Sequence, residues 1–316
     1  MTLDPSEADQ PTLFDIGGDF PDLLKPDPYS TRPLYEGSHC WQYEIRVRNL
    51  ERDLYDAGLT LTETSALKVT DFEYMPLLTP SRQREAAAFI RRHEWLGTLS
   101  QFTTHWFGAY YKGRLAGVIL MNMPNSFSKL LGEDTPQLER LISRGACISW
   151  SPKNLASSFL MWCCHWMTQQ SRYRLFTAYS DTTARELGTI YQACNFYYLG
   201  QNAGTSVRYI NPYSGKVVSD RFFRVRSAYK QYAKELNIPW QPEWCNDQKM
   251  LWDSVPPDIE KALRDRSRLR QSESEKIPTP LKHKYALVLG SNRSETRALK
   301  RIFEDRNKIC EYPKDR

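Results

Sequence analysis

The residues best placed to do chemistry lie where an apolar strand turns into a helix. Leu141-Ile142-Ser143-Arg144-Gly145-Ala146-Cys147-Ile148-Ser149-Trp150 reads as the strand, and Ser151-Pro152-Lys153-Asn154-Leu155-Ala156-Ser157-Ser158 as the turn into the helix. Ser151 is a natural N-cap, and Pro152 suits the first helical turn, where its missing N–H costs nothing. The N–H groups of Lys153, Asn154 and Leu155 then lack intrahelical partners. With the positive end of the helix dipole and the Lys153 ammonium, they could seat a pyrophosphate. The same residues would equally serve as an ordinary capped helix start. A second strand, Tyr173–Tyr179, runs into Ser180 and Asp181. Ligands of open parallel sheets gather beyond the carboxyl ends of strands, so Trp150, Ser151, Lys153, Ser157, Tyr179, Ser180 and Asp181 should surround one cleft. Asp181 could accept a proton there or simply cap the helix that follows.

These residues need a scaffold, and the pattern supplies one. The segment Leu155–Met167 is apolar nearly all round (Phe159, Leu160, Met161, Trp162, Cys163, Trp166), which predicts a helix buried against a sheet. Thr183 and Glu186 have capping-box spacing ahead of a helix over Ala184–Cys194, and Asn195–Gly200 reads as a third strand. Strand–helix–strand–helix–strand order implies parallel pairing through right-handed crossovers. Upstream, Trp41–Ala57 is helical and ends at Gly58, Ala66–Leu77 is extended, and Ser81–Glu94 is helical. Trp106–Tyr111 and Leu115–Met121 form a hairpin about Lys112-Gly113-Arg114. The loop Asn125–Leu138 carries Ser126, Phe127, Ser128 and Lys129, and a loop on a rigid sheet is where substrate specificity is expected. Downstream come short strands to Ser219, a helix Arg224–Leu236, a proline-marked region, a strand Tyr285–Leu289 and a helix Glu295–Phe303.

The chain has 316 residues, 41% of them hydrophobic and 13% aromatic, enough for a sizeable core. No apolar run approaches the roughly 20 residues that span a bilayer, and the acidic, polar start is no leader segment, so a cytoplasmic protein without a membrane partner is expected. Seven cysteines without CxxC spacing read as reduced thiols. Neighbours on a buried helix point in different directions, so Cys163-Cys164-His165 reads as core and no metal site is expected. The net charge of +6 is uneven: residues 1–40 hold two basic and eight acidic side chains, residues 261–316 sixteen basic and eight acidic. The basic end suits either a polyanion partner or a solvated helix.

The order of elements and Gly188-Thr189-Ile190-Tyr191-Gln192-Ala193-Cys194-Asn195-Phe196 resemble the GNAT acetyltransferase core, with Asn195 in the usual glycine position and no glycine in Lys153–Ser158. More specifically, Glu139-Arg140-Leu141-Ile142-Ser143-Arg144-Gly145-Ala146, Ser149–Ser157 and Phe176-Thr177-Ala178-Tyr179-Ser180-Asp181 resemble the Mom family of bacteriophage DNA-modification proteins, over roughly Leu67–Tyr209. The resemblance implies an α+β fold: a GNAT-like mixed central sheet flanked by helices. Around it we expect a disordered acidic tail (1–38), a catalytic domain (39–236), a linker with a short helix (237–275) and a basic C-terminal extension (276–316). It implies transfer of a carbamoylmethyl group to the N6 amine of adenine in DNA, shielding phage DNA from host restriction. The implied donor is acetyl-CoA or a related acyl donor, with a separate nitrogen donor that no motif identifies.

On that reading Arg144, Ser149, Trp150, Lys153, Asn154 and Ser157 hold the donor, Asp181 is the general base, and Tyr191 is the acid that protonates a departing thiolate. Arg144 needs an anionic partner: a cofactor phosphate, a DNA phosphate or Glu139. The target adenine must be flipped out of duplex DNA or presented in single-stranded DNA, with Phe127, Tyr179 and Ser180 around it. Two other readings use the same residues: a GNAT-type acyltransferase for a protein or small-molecule amine, and a non-catalytic GNAT-fold DNA-binding protein.

Overall fold

The computed structural model describes residues 40–314 except 101, 125, 216, 247 and 248, so the expectation for residues 1–38 lies outside the described residues. In chain order the elements are α1 (Trp41–Ala57), α2 (Leu61–Ser65), β1 (Glu73–Pro76), α3 (Pro80–His93), β2 (Thr103–Tyr111), β3 (Arg114–Asn122), β4 (Glu139–Cys147), α4 (Leu155–Gln170), β5 (Leu175–Ser180), α5 (Thr189–Ala193) and β6 (Tyr197–Ala203). There follow β7 (Val207–Ile210), β8 (Val217–Val218), α6 (Arg226–Glu235), α7 (Pro257–Glu273), β9 (Lys276–Pro278), β10 (Lys282–Val288) and α8 (Arg293–Arg306). Among the described residues no helix is long and apolar enough to cross a membrane.

Seven strands form a mixed sheet in the order β1-β2-β3-β4-β5-β10-β6, flanked by helices as an α+β fold requires. The β2–β3 hairpin turns at Lys112 and Gly113, both at positive φ, the twist that suits a two-residue turn. The β4–β5 pair is parallel, which requires the α4 crossover between them; the other pairs are antiparallel. Side chains alternate across each strand, so each face has its own core. On one face Phe159, Leu160, Cys163 and Met167 of α4 meet Phe107, Ile119, Ile142, Phe176, Ala178 and Tyr285. On the other, Ala86, Phe89 and Ile90 of α3 cover Val118, Leu120 and Ala146, while Phe303 of α8 covers Leu175, Ala286 and Val288.

The division of the chain differs from the one expected. One compact unit contains the described residues up to Gly204 and those from Leu281 onward; the other is Thr205–Pro280. The expected C-terminal extension therefore supplies β10 to the interior of the main sheet, between β5 and β6. Strand order across a sheet is set by non-local pairing, which leaves no local trace in the sequence. The second unit has its own three-stranded sheet, β8-β7-β9, and a core of Tyr229, Tyr232 and Leu263. There Glu235 accepts from Arg266 at 2.7 Å, Arg270 at 3.2 Å and the Tyr213 hydroxyl at 2.5 Å.

Helix α1 fixes the turn between β4 and α4. The buried Asp53 carboxylate accepts from Arg92 Nη2 at 2.6 Å, Ser149 Oγ at 2.7 Å and Ser149 N at 3.2 Å. Arg46 donates to the carbonyls of Ser149 and Ser151 at 2.7 and 2.6 Å. Asp53→Ala strands the buried Ser149 donors and half of the Arg92 fork, and should cost about 3 kcal/mol in urea unfolding. Burial pushes the neighbouring His93 imidazole down to about 4, against the pull of Asp53 at 3.5 Å. An unfolded histidine titrates near 6.5, so between these values the unfolded chain holds a proton that the folded one lacks. This stability is complete above about pH 6.5 and falls by about 3 kcal/mol as pH drops toward 4. His93→Gln should flatten that slope in urea midpoints measured at pH 7 and 4.5.

Candidate active site

The site begins where β4 leaves β5. The parallel ladder runs from Glu139↔Leu175 to Ile142↔Ala178 and stops. At the next residue β4 bulges: Met121 faces Ile142 but Leu120 faces Arg144, leaving Ser143 as the extra residue. Arg144–Cys147 stay paired to β3, and Ser143–Cys147 have no ladder partner on the β5 side. The parting opens a wedge at the carboxyl ends of both strands, with a β4 edge whose backbone can meet an extended ligand.

Helix α4 starts at Leu155, three residues later than Pro152, with Asn154 as its cap residue at φ 69. The reason is the α1 clamp on Ser149 and Ser151, which holds these residues out of helical geometry. The free amides thus move to the first turn of the actual helix: Leu155 N bonds Pro152 O at 3.2 Å, and Ala156 and Ser157 have no helical acceptor. Ser157 Oγ donates to Asn154 O at 3.1 Å. Lys153 is exposed and forms no ion pair among the described residues. Lys153, Asn154 and Ser157 are therefore brought together. Ser149 and Trp150 are not available to a ligand: Ser149 is held by Asp53, and Trp150 is 4% exposed, packed on Phe72 and Tyr111.

A cluster of charges lines the wedge. Arg144 donates to Thr98 O at 2.8 Å, Ser143 O at 2.6 Å and Thr98 Oγ1 at 3.2 Å, and lies 3.8 Å from Glu94. Its carboxylate neighbour is thus Glu94, not Glu139. Glu139 is 1% exposed and instead accepts from Ser128 N, Ser128 Oγ and Thr177 Oγ1, anchoring the loop before β4. Asp181 accepts from Thr183 N at 3.0 Å and Thr183 Oγ1 at 2.6 Å through one oxygen, and pairs with Lys282 at 2.5 Å through the other. Burial works to raise its pKa, but Lys282 and the Thr183 bonds outweigh it and hold it below the usual range. Asp181 is thus a cap and an ion-pair partner, with both carboxylate oxygens engaged.

The expected helix over Ala184–Cys194 is broken: a 3-10 turn at Thr182–Ala184 ends at Arg185 with φ 55, and the five-residue α5 begins after Gly188. In this kink Glu186 reaches back to accept from Asp181 N at 3.2 Å. Burial first, then the charges of Glu94 and Asp181, raise the Glu186 carboxyl to about 7, against Lys282 and the Asp181 N–H. Burial also pushes the Tyr191 phenol up, aided by Glu186 and Glu94. Both residues are half-buried, and the Tyr191 ring packs against Phe196 and Tyr285. Sequence reasoning read Glu186 only as a capping residue and Lys282 only as tail charge, and missed Glu94; nothing local marks their convergence.

Of the residues expected around a base, Tyr179 is 36% exposed and Phe127 half-buried, while Ser180 is buried and points to the opposite face of β5. Ser128, next to Phe127, is tied through Glu139 to Thr177, which shares a face with Tyr179. Cys163 and Cys164 are buried in the core, as their helix position implied, and no cluster of metal ligands occurs among the described residues.

The model of the Mom protein family matches residues 77–249, more than half of the chain. No curated protein matches the sequence. Among solved structures, a GNAT family acetyltransferase from Elizabethkingia anophelis with acetyl-CoA bound is 10% identical, covering 69% of this chain and 99% of its own, with a TM-score of 0.31. A GNAT family acetyltransferase from Streptococcus pneumoniae is 13% identical over 46% of this chain and 93% of its own, with a TM-score of 0.32. The polyamine N-acetyltransferase of Drosophila melanogaster is 9% identical over 69% of this chain and 100% of its own, with a TM-score of 0.33.

Gly188 tests how tightly the kink is built. Its φ is +70, and an added Cβ would lie 2.4 Å from the Tyr285 ring and 2.6 Å from Ser180 Oγ. Gly188→Ala should cost about 2 kcal/mol or more in urea unfolding, because both the backbone conformation and the space require glycine.

Proposed function

The chain belongs to the Mom protein family, and from that footing we propose that it is a transferase that modifies the N6 amine of adenine in DNA. The group transferred is carbamoylmethyl, and the biological effect is protection of phage DNA from restriction in the host cytoplasm. One observation carries the reading: β4 parts from β5 beside a helix start whose amides and lysine are free.

Acetyl-CoA or a related acyl donor fits this place. Its pyrophosphate would meet the Ala156 and Ser157 amides and the Lys153 ammonium, and its extended arm would run along the open edge of Ser143–Cys147. Bound there, the donor would supply a two-carbon unit and a thiolate leaving group, and the carbamoylmethyl product needs in addition an amide nitrogen from a separate donor. Arg144, held by Thr98 and Glu94, adds positive charge to the same wall. Tyr191, kept protonated, is the acid for the departing sulfur. The adenine amine is a poor nucleophile, because its lone pair is conjugated into the ring, and must lose a proton as its new bond forms. A base inside a duplex cannot reach the wedge, so the adenine is flipped out or taken from single-stranded DNA. Tyr179 and Phe127 are the aromatics on which it would stack.

Mass spectrometry of nucleosides from cells expressing the chain tests the reading. A modified deoxyadenosine is expected; clean DNA beside an acylated protein or small-molecule amine would replace it with the ordinary acyltransferase reading. Salt-sensitive DNA binding without transfer to any amine would leave a binding protein. Lys153→Ala should weaken CoA binding by about 1–3 kcal/mol in calorimetry, and an unchanged affinity would remove the helix start from the donor site.

A further inference from the structure

We propose that the outer face of α6, in the Thr205–Pro280 unit, is a surface that holds duplex DNA by its phosphate backbone. The proposal takes its partner from the transferase reading and adds the place where that partner docks.

Helix α6 is basic along one side. Arg226, Lys230 and Lys234 recur every four residues, which sets them in a stripe about 12 Å long within an arc of about 80°. On the other side Ala228, Tyr229, Tyr232 and Ala233 are buried in one core with Leu263 of α7. Lys230 and Lys234 are exposed and Arg226 is half-buried, and none of the three forms an ion pair among the described residues. The one carboxylate of the helix, Glu235, is already taken by Arg266, Arg270 and the Tyr213 hydroxyl. On α7, Arg264 pairs with Glu260 at 2.6 Å and Arg268 with Asp265 at 3.0 Å. The stripe on α6 is left without a carboxylate.

The chemistry of this face selects its occupant. Each strand of a duplex carries one phosphate per 3.4 Å of axis, so a stripe of about 12 Å runs past three or four of them. Both α6 tyrosines are buried, so the face offers charge and no ring on which the bases of a single strand would stack. A helix that lies in a lipid surface sinks its apolar side, and that side of α6 is spent on α7. The insert also joins the main sheet at the wedge end: Ala203 pairs with Lys282, and His283 pairs with Ser180, the last residue of β5. A rival basic stripe, Arg293, Arg297 and Lys300 of α8, follows Val288, which pairs with Leu175 at the opposite end of β5.

Fluorescence anisotropy with a short labelled duplex of G·C pairs only tests the face, because such DNA holds no adenine to be flipped out. The wild type should bind with a steep dependence on salt. Combining Arg226→Gln, Lys230→Gln and Lys234→Gln should make the slope of log K against log salt shallower by about 2.7, and should weaken binding at about 0.1 M salt by about 10²–10³-fold. Combining Arg226→Lys, Lys230→Arg and Lys234→Arg keeps the charge and should keep the slope. CoA affinity in calorimetry should stay at the wild-type value in both.

A wild type that holds no duplex at low salt overturns the proposal, as does an unchanged slope in the glutamine variant. Equal loss in the charge-keeping variant overturns it too, because packing and not charge would then be responsible. The same three changes on α8, if they alone flatten the slope, move the DNA to that helix. Loss of binding to vesicles of anionic phospholipid with duplex binding intact would assign the α6 face to a membrane instead. Adenine modified by a chain whose slope ignores the α6 changes sinks this face and spares the transferase reading. Unmodified nucleosides with the expected change in slope sink that reading and spare the face.

Discussion

Four residue pairs, Glu139↔Leu175 through Ile142↔Ala178, join β4 to β5, and the position of the candidate site follows from where they stop. Below that point Glu139 pins the preceding loop to Thr177 and closes the sheet. Above it Ser143 bulges and β4 follows β3 alone. Two parallel strands that diverge must leave backbone groups without ladder partners, and unpaired amides beside a helix start are suited to an extended, phosphate-bearing ligand. The clamp from α1 holds the upper part of the turn in place, so the opening is a built feature and not a frayed edge.

The electrostatics of the wedge follow from the same divergence. Side chains that would otherwise pack across the β4–β5 ladder are replaced by Arg144, Glu94, Asp181, Glu186, Lys282 and Tyr191, drawn from five separate segments. Like charges gathered in a poorly solvated place push some pKa values up, while a close lysine pushes another down. The result is two carboxylates, Asp181 and Glu186, a few residues apart in sequence with opposite shifts. One has both oxygens committed to structure, and the other accepts a single hydrogen bond, from Asp181 N.

The contribution of β10 makes the sheet depend on a distant part of the chain. Tyr285, on that strand, packs against Tyr191 and Tyr198, and its hydroxyl donates to Leu187 O beside the glycine kink. Lys282, at the start of the strand, completes the Asp181 pair. The Thr205–Pro280 unit interrupts the chain between β6 and β10 without interrupting their pairing, because the strands' register is carried by their own hydrogen bonds.

The sequence by itself determined the local pieces: the β2–β3 hairpin from its turn residues, α4 from its apolar surface, the parallel β4–α4–β5 unit from element order, and a helix start near Lys153–Leu155, whose free amides the structure shifts to Ala156 and Ser157. These are set by propensity, periodicity and capping, which act over a few residues and so are written in consecutive positions. The tertiary structure alone decided that α4 starts at Leu155, that Trp150 and Ser149 are structural, that Asp181 is tied to Lys282, and that Glu186 is the free carboxylate. The first three outcomes depend on partners 96 to 105 residues away, and the last on burial and charges brought by other segments. Burial and ion pairing are sums over neighbours in space, and only the folded chain says who the neighbours are.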